Sequence, residues 1–232
     1  MATEIKVLST IAAREAYLEL LPEFERASGQ RVTTTWAGTV DVMKRMAAGG
    51  EVHDMVIISS DELDTLIKQG KIAAGTRVDL ANSGIGVAVR AGAPRPDISS
   101  AEALKRTLQA AKTVGYTSGP SGIYMAGLIE RLGITAEVKP KHRSVPSGGT
   151  IGTIVASGDC EIGFQQVSEL VHIKGIDFVG PLPPDVQRVT VFSAGIQAGA
   201  GNPAGAKALA AFLITPAAAA VMEKHGLKAG GV

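Results

Sequence analysis

Short apolar runs of the buried-strand type alternate with amphipathic helical segments along almost the whole chain, and this alternation restricts it to an α/β architecture. Residues 4–9 read as a strand entering a core. Residues 10–27 follow as a helix with Ala13, Ala16, Tyr17, Leu20, Leu21 and Phe24 on one face. The pattern repeats as a strand at 31–36 and a helix from Thr39 closed by Gly49-Gly50, then a strand at 55–58 and a helix running to Gln69. A strand at 85–90, a capping-box sequence Ser99-Ser100-Ala101-Glu102 with a helix to Ala111, and a strand at 113–116 come next. Beyond the helix 123–132, residues 138–142 read as a strand and Ser147-Gly148-Gly149-Thr150 opens a helix that stops at Gly158. Strand 162–166, a short helix from Val167, strand 190–196 and helices 203–213 and 216–225 complete the series. Each strand-helix-strand crossover predicts a doubly wound, parallel sheet.

The junctions between strand and helix are rich in small hydroxyl residues and glycine. Thr117-Ser118-Gly119-Pro120-Ser121-Gly122-Ile123-Tyr124 is the fullest case, ending an apolar strand and opening a helix. Backbone N–H groups at a helix N-terminus lack intrahelical partners and carry the positive end of the helix dipole, so an oxyanion can bind there without lysine or arginine. Ser9 and Thr10, Gly38-Thr39 and Gly149-Thr150 stand at comparable junctions.

Composition removes several alternatives. The 232 residues are 45% hydrophobic and 19% charged, enough for a substantial core. A net charge of +1 with 4% aromatic residues offers neither a phosphate-tracking surface nor a base-stacking platform, so no nucleic-acid partner is expected. One cysteine, Cys160, excludes an intrachain disulfide, and His53, His142, His172 and His225 lack metal-ligand spacing. Neither a metal nor a cofactor is expected. No window reaches the roughly 18 apolar residues of a membrane span. The chain begins Met1-Ala2-Thr3 just before the first strand, and a secretory signal is expected to have been removed.

Four stretches carry a resemblance that covers nearly the whole chain. They are Ile5-Lys6-Val7-Leu8-Ser9, Val56-Ile57-Ile58-Ser59-Ser60-Asp61, Pro120-Ser121-Gly122-Ile123-Tyr124 with Leu132-Gly133, and the ending from Phe212-Leu213 to His225-Gly226-Leu227. In order and spacing the chain resembles the periplasmic solute-binding proteins of ABC importers, in the branch that includes the molybdate-binding proteins. The resemblance implies two doubly wound α/β lobes joined by crossing hinge strands: lobe 1 from residues 1–83 plus 190–232, lobe 2 from 84–189, with the ligand in a cleft between them. It implies a periplasmic, monomeric protein that delivers a small anion to a membrane ABC permease.

Carried over by position, the same resemblance assigns ligand contacts to Ser9 and Thr10, to Thr39, to Ser118, Ser121 and Gly122, to Gly149 and Thr150, and to Gln166. Two of the molybdate-binding pattern's donors differ here: a first-lobe serine falls at Ala12, and the tyrosine falls at Gln166. An N–H cradle with altered side-chain donors favours a different small anion, with an organic carboxylate ahead of a molybdate-like oxyanion. Arg14 and Arg143 belong to solvated faces unless a ligand with several carboxylates recruits one.

A reading of another class stays open, because this branch is also similar to aconitate isomerase, which moves a double bond in a tricarboxylate. That chemistry needs a general base beside a carbon acid and groups that stabilise developing negative charge. Tyr124, His142 and Glu169 are the candidate bases by position. The binding reading leads, since none of the three stands in a recognisable catalytic constellation.

Overall fold

The computed structural model describes residues 4–230, so Met1-Ala2-Thr3 lie outside the described residues. The chain forms two compact units, one built up to Ser83 and again from Thr190, the other from Gly84–Val189. It leaves the first unit within the long strand Val78–Arg90 and returns at the start of the strand Val189–Ile196.

In the first unit the strand Glu4–Ser9 lies between Arg31–Trp36 and Met55–Ser59, parallel to both, and Val189–Ile196 runs antiparallel beside Met55–Ser59. Alternate side chains feed two cores, as a pleated strand requires. Ile5, Val7, Met55 and Ile57 pack with Tyr17, Leu20 and Phe24 of the helix Arg14–Ser28 and with Leu209, Leu213 and Met222. Leu8, Val56 and Ile58 face the other way, onto Val42, Met46, Leu63 and Leu66. A sheet covered on both faces explains why Met55–Ser59 is fully buried. Tyr17 anchors the first core through an edge-to-face contact with Trp36 and a 2.9 Å hydrogen bond to Thr34.

In the second unit the strand order is Ile176–Pro181, Val78–Arg90, Ile162–Gln166, Val114–Gly115, His142–Arg143; the first two pairings are antiparallel and the last two parallel. Leu104, Leu108, Met125, Leu128 and Ile129 cover one face over Val87, Val114 and Phe164. Ile151 and Val155 cover the other, and Gly163 is what lets them approach: a Cβ there would stand 2.5 Å from Ile151 Cγ2.

The expected strand at 138–142 is corrected. Residues Thr135–Val138 form a helical turn, Lys139–Lys141 a 3-10 turn, and only His142–Arg143 is strand. Ile134 and Val138 are both buried and joined by a 3.1 Å backbone hydrogen bond, so the controlling period is four residues rather than two. Three strand segments have no counterpart in the sequence reading: Ile176–Pro181, half-buried up to Gly180, residues 78–84, where small and polar side chains hide the alternation, and the two-residue strand Lys228–Ala229. The helix expected at 123–132 begins earlier, at Pro120.

Candidate functional site

Parallel strands bring the helix starts that follow them to one edge of a sheet. In the first unit Ser9 is level with Trp36 and Ile57; the first two strands end at that level and the third runs on to Ser59. The junctions are bonded together: Thr10 N donates to Ile57 O at 2.9 Å and Ala37 N to Ser9 O at 3.1 Å. Ser9 and Thr10 are buried here, and Thr39, the first residue of the helix Thr39–Ala48, is half-buried on the same edge.

The hydroxyls at this edge differ in what they do. Ser9 Oγ donates to Thr10 O at 2.9 Å. Thr10 Oγ1 is buried with no hydrogen-bond partner and does not cap the turn Ile11–Ala13 that it precedes. Leaving a hydroxyl in that condition costs roughly 1–3 kcal/mol, which makes it an acceptor or donor waiting for a partner. Ser59, which the sequence reading did not include among ligand contacts, closes the third junction; its hydroxyl donates to Glu62, whose carboxyl is pushed up by burial. The Ser-x-x-Glu spacing was the available signal for that pair.

In the second unit Gly115 is level with Arg143 and Gly163, and these parallel strands lead into the helices Pro120–Arg131, Ile151–Ser157 and Val167–Leu170. Thr117 Oγ1 accepts from Gly119 N at 3.2 Å and folds the first of these junctions. Ser118 is exposed, whereas Ser121 is 3% exposed. Gly122 has a packing reason for lacking a side chain: a Cβ there would fall 1.7 Å from Thr117 O. Gly149 N donates to Pro146 O at 2.8 Å, and Thr150 precedes Ile151–Ser157 without capping it. Gln165 Oε1 accepts from Ile151 N at 2.7 Å instead, while the amide's Nε2 donates to Glu169. Gln166 is buried beside it and precedes the turn Val167–Leu170.

Capping differs among the longer helices. Helices Ala101–Ala110, Pro203–Leu213 and Pro216–Lys224 are capped by the side chains of Ser100, Asn202 and Thr215, each accepting a backbone N–H at 3.0–3.3 Å. Helices Thr39–Ala48, Ser60–Lys68 and Pro120–Arg131, which follow parallel strands, receive no such bond from Gly38, Ser59 or Gly119. Their first N–H groups keep the capacity to bind an anion.

The three candidate bases are now distinguishable. Tyr124 Oη donates to Val186 O at 2.9 Å, with Arg131 over its ring. His142 stacks on Tyr116 with ring centroids 3.8 Å apart, and its Nε2 faces Tyr116 O at 3.1 Å. Glu169 has its carboxyl pushed up to about 8 by burial, against the smaller opposing effect of the Gln165 amide. Among the arginines, Arg14 lies over the Trp36 ring at 5.8 Å and Arg143 bonds its neighbour's carbonyl, His142 O, at 3.0 Å. No cluster of three or more His, Cys, Asp or Glu side chains able to hold a metal ion occurs among the described residues.

The sequence profile described as "Bacterial extracellular solute-binding protein" matches residues 5–228. A Pseudomonas protein described as aconitate isomerase is 35% identical over 97% of this chain and 88% of its own length. The structure is similar to the periplasmic molybdate-binding protein of Azotobacter vinelandii, with a TM-score of 0.80 at 17% identity over 96% of this chain and 98% of that one. It is equally similar to the sulfate-binding protein SubI of Mycobacterium tuberculosis, with a TM-score of 0.80 at 18% identity over 98% of this chain and 87% of that one. These structural likenesses identify the periplasmic-binding-protein fold.

Proposed function

This chain belongs to the bacterial extracellular solute-binding protein family, and we propose that within it the protein captures a small anion bearing carboxylate groups for an ABC-type permease. Family membership supports small-solute binding in company with an ABC transporter and an extracytoplasmic setting. The carboxylate and the monomeric state are our reading. The donors are Ser9, Thr10 and Thr39 of the first unit and Ser118, Ser121, Gly122, Gly149, Thr150 and Gln166 of the second. The observation that carries it is the buried, unpartnered Thr10 hydroxyl on an edge whose helix starts are left uncapped. A neutral donor set of this kind holds an anion by hydrogen bonds and dipoles. The test is calorimetric titration of wild type, Thr39→Ala and Ser121→Ala with succinate, tricarballylate and citrate. Weaker binding in both variants with unchanged melting temperature is expected; unchanged affinity in both removes these hydroxyls from the site.

One observation favours a second reading, an isomerase on the same scaffold: the aconitate isomerase relative is 35% identical along nearly the whole chain. Incubation with cis-aconitate, followed by proton NMR, separates the two. Signals of an isomer growing in proportion to protein concentration establish turnover, and an unchanged spectrum leaves binding alone.

A further inference from the structure

The second unit holds a half-buried carboxyl group that the anion-binding reading does not use. Glu169 stands in the first turn of Val167–Leu170, where Gln165 Nε2 donates to its Oε2. The far end of that amide is fixed, because its Oε1 accepts from Ile151 N at 2.7 Å and its Nε2 also reaches Gly149 O at 3.4 Å. Gln165 can therefore present only N–H to the carboxyl. One amide group separates Glu169 from the backbone of Gly149, Thr150 and Ile151, the turn assigned above to ligand contact.

The elements packed most extensively against Val167–Leu170 are the strand Ile162–Gln166 and the helix Ile151–Ser157, and neither contains a titratable side chain. Val167 and Leu170 also lie against Gly86 and so against the strands Val78–Arg90 and Ile176–Pro181. Their charged residues nearest in register, Arg90 and Asp177, lie three or more residues beyond Gly86, and Asp177 accepts from Gly92 N. His172, three residues past Glu169, is exposed. With no cation among these neighbours, desolvation of the carboxyl favours its neutral form and pushes Glu169 up to about 8, against the smaller opposing effect of the Gln165 amide.

The geometry points to Glu169 as a proton-donating ligand contact: a neutral carboxylic acid whose O–H is given to an oxygen of the bound anion. This rests on the anion-binding reading. Ionised, the same group has only acceptors and repels the ligand, so the anion binds the protonated form and affinity falls by about tenfold per pH unit above the group's own pKa.

The test is calorimetric titration with succinate and tricarballylate at about pH 6.5, 8 and 9.5, for wild type and Glu169→Gln, which keeps an N–H donor but does not titrate. The ligand's own ionisation cancels in the comparison. Wild-type affinity dropping at least about tenfold more than that of the variant across this range is the expected result. Parallel pH profiles overturn the assignment while leaving anion binding intact. Failure of wild type to bind either probe at any pH overturns the anion-binding reading, and this assignment with it. Carbon-13 NMR of labelled glutamate carboxyls reads the ligand-free protein independently, and a Glu169 resonance that titrates in the ordinary carboxylate range overturns the assignment whatever the ligand.

Discussion

Replacing Thr10 by valine separates a hydroxyl kept for a ligand from one kept for the fold. The two side chains are nearly the same shape, the hydroxyl is buried without a partner, and it caps no helix, so no intramolecular hydrogen bond is lost. An unsatisfied buried hydroxyl costs about 1–3 kcal/mol, so its removal should stabilise the ligand-free protein by about 1 kcal/mol or more. At this chain length each kcal/mol moves the melting temperature by about 2–4 °C. The ligand-bound state should respond the other way. A hydrogen bond to a charged acceptor contributes about 1.5–3 kcal/mol, so anion affinity should fall roughly ten- to hundredfold. Differential scanning calorimetry and isothermal titration with the same anion measure both effects. A melting temperature lowered by several degrees would show that the hydroxyl has a structural role, and an unchanged affinity would show that it does not meet the ligand.

Gly122→Ala should destabilise the protein by about 2 kcal/mol or more, because the new Cβ falls 1.7 Å from Thr117 O and the junction must deform; urea unfolding measures the loss. Asn202→Ala removes a cap that accepts from Gly205 N at 3.0 Å and should cost about 1–2 kcal/mol while anion affinity stays constant; a parallel titration checks the second half of that statement. Glu169 gives a pH dependence of stability. Its pKa is raised in the fold, so the native state keeps a proton that the unfolded chain has lost, and stability declines as pH rises from about 4.5 and levels off above about 8. Relative to Glu169→Gln the wild type should lose stability across that window, and superimposable curves of unfolding free energy against pH contradict the assignment.

Most of the framework could be read from residue order because buried parallel strands are continuous apolar runs. Met55-Val56-Ile57-Ile58 can hardly be anything else, and the face of Tyr17, Leu20 and Phe24 has a helical period. The segments that escaped have mixed signals: Asp79, Asn82 and Ser83 interrupt the first half of Val78–Arg90, and Ile176–Pro181 is only half-buried. At 138–142 a short run of alternating residues imitated a strand, although burial of Val138 against Ile134's turn makes it helical. The candidate site is legible to the level of the junction, since small hydroxyls and glycines at a strand-to-helix turn are local chemistry. Which hydroxyl lacks a partner is decided by tertiary contacts. Ser9 and Thr10 are adjacent and look alike in sequence, yet the Ser9 hydroxyl bonds a carbonyl and the Thr10 hydroxyl has no partner. Gln165 meets Ile151 from 14 residues away in sequence, beyond the reach of any local pattern.

The central claim is that this solute-binding protein recognises a small carboxylate anion through uncharged donors. A thermal-shift screen against molybdate, tungstate, sulfate, phosphate and a series of mono-, di- and tricarboxylates tests it most directly, because a ligand that binds only the native state raises the melting temperature. The account predicts concentration-dependent stabilisation by one or more carboxylates and none by the inorganic oxyanions. Stabilisation by molybdate or tungstate alone would contradict it.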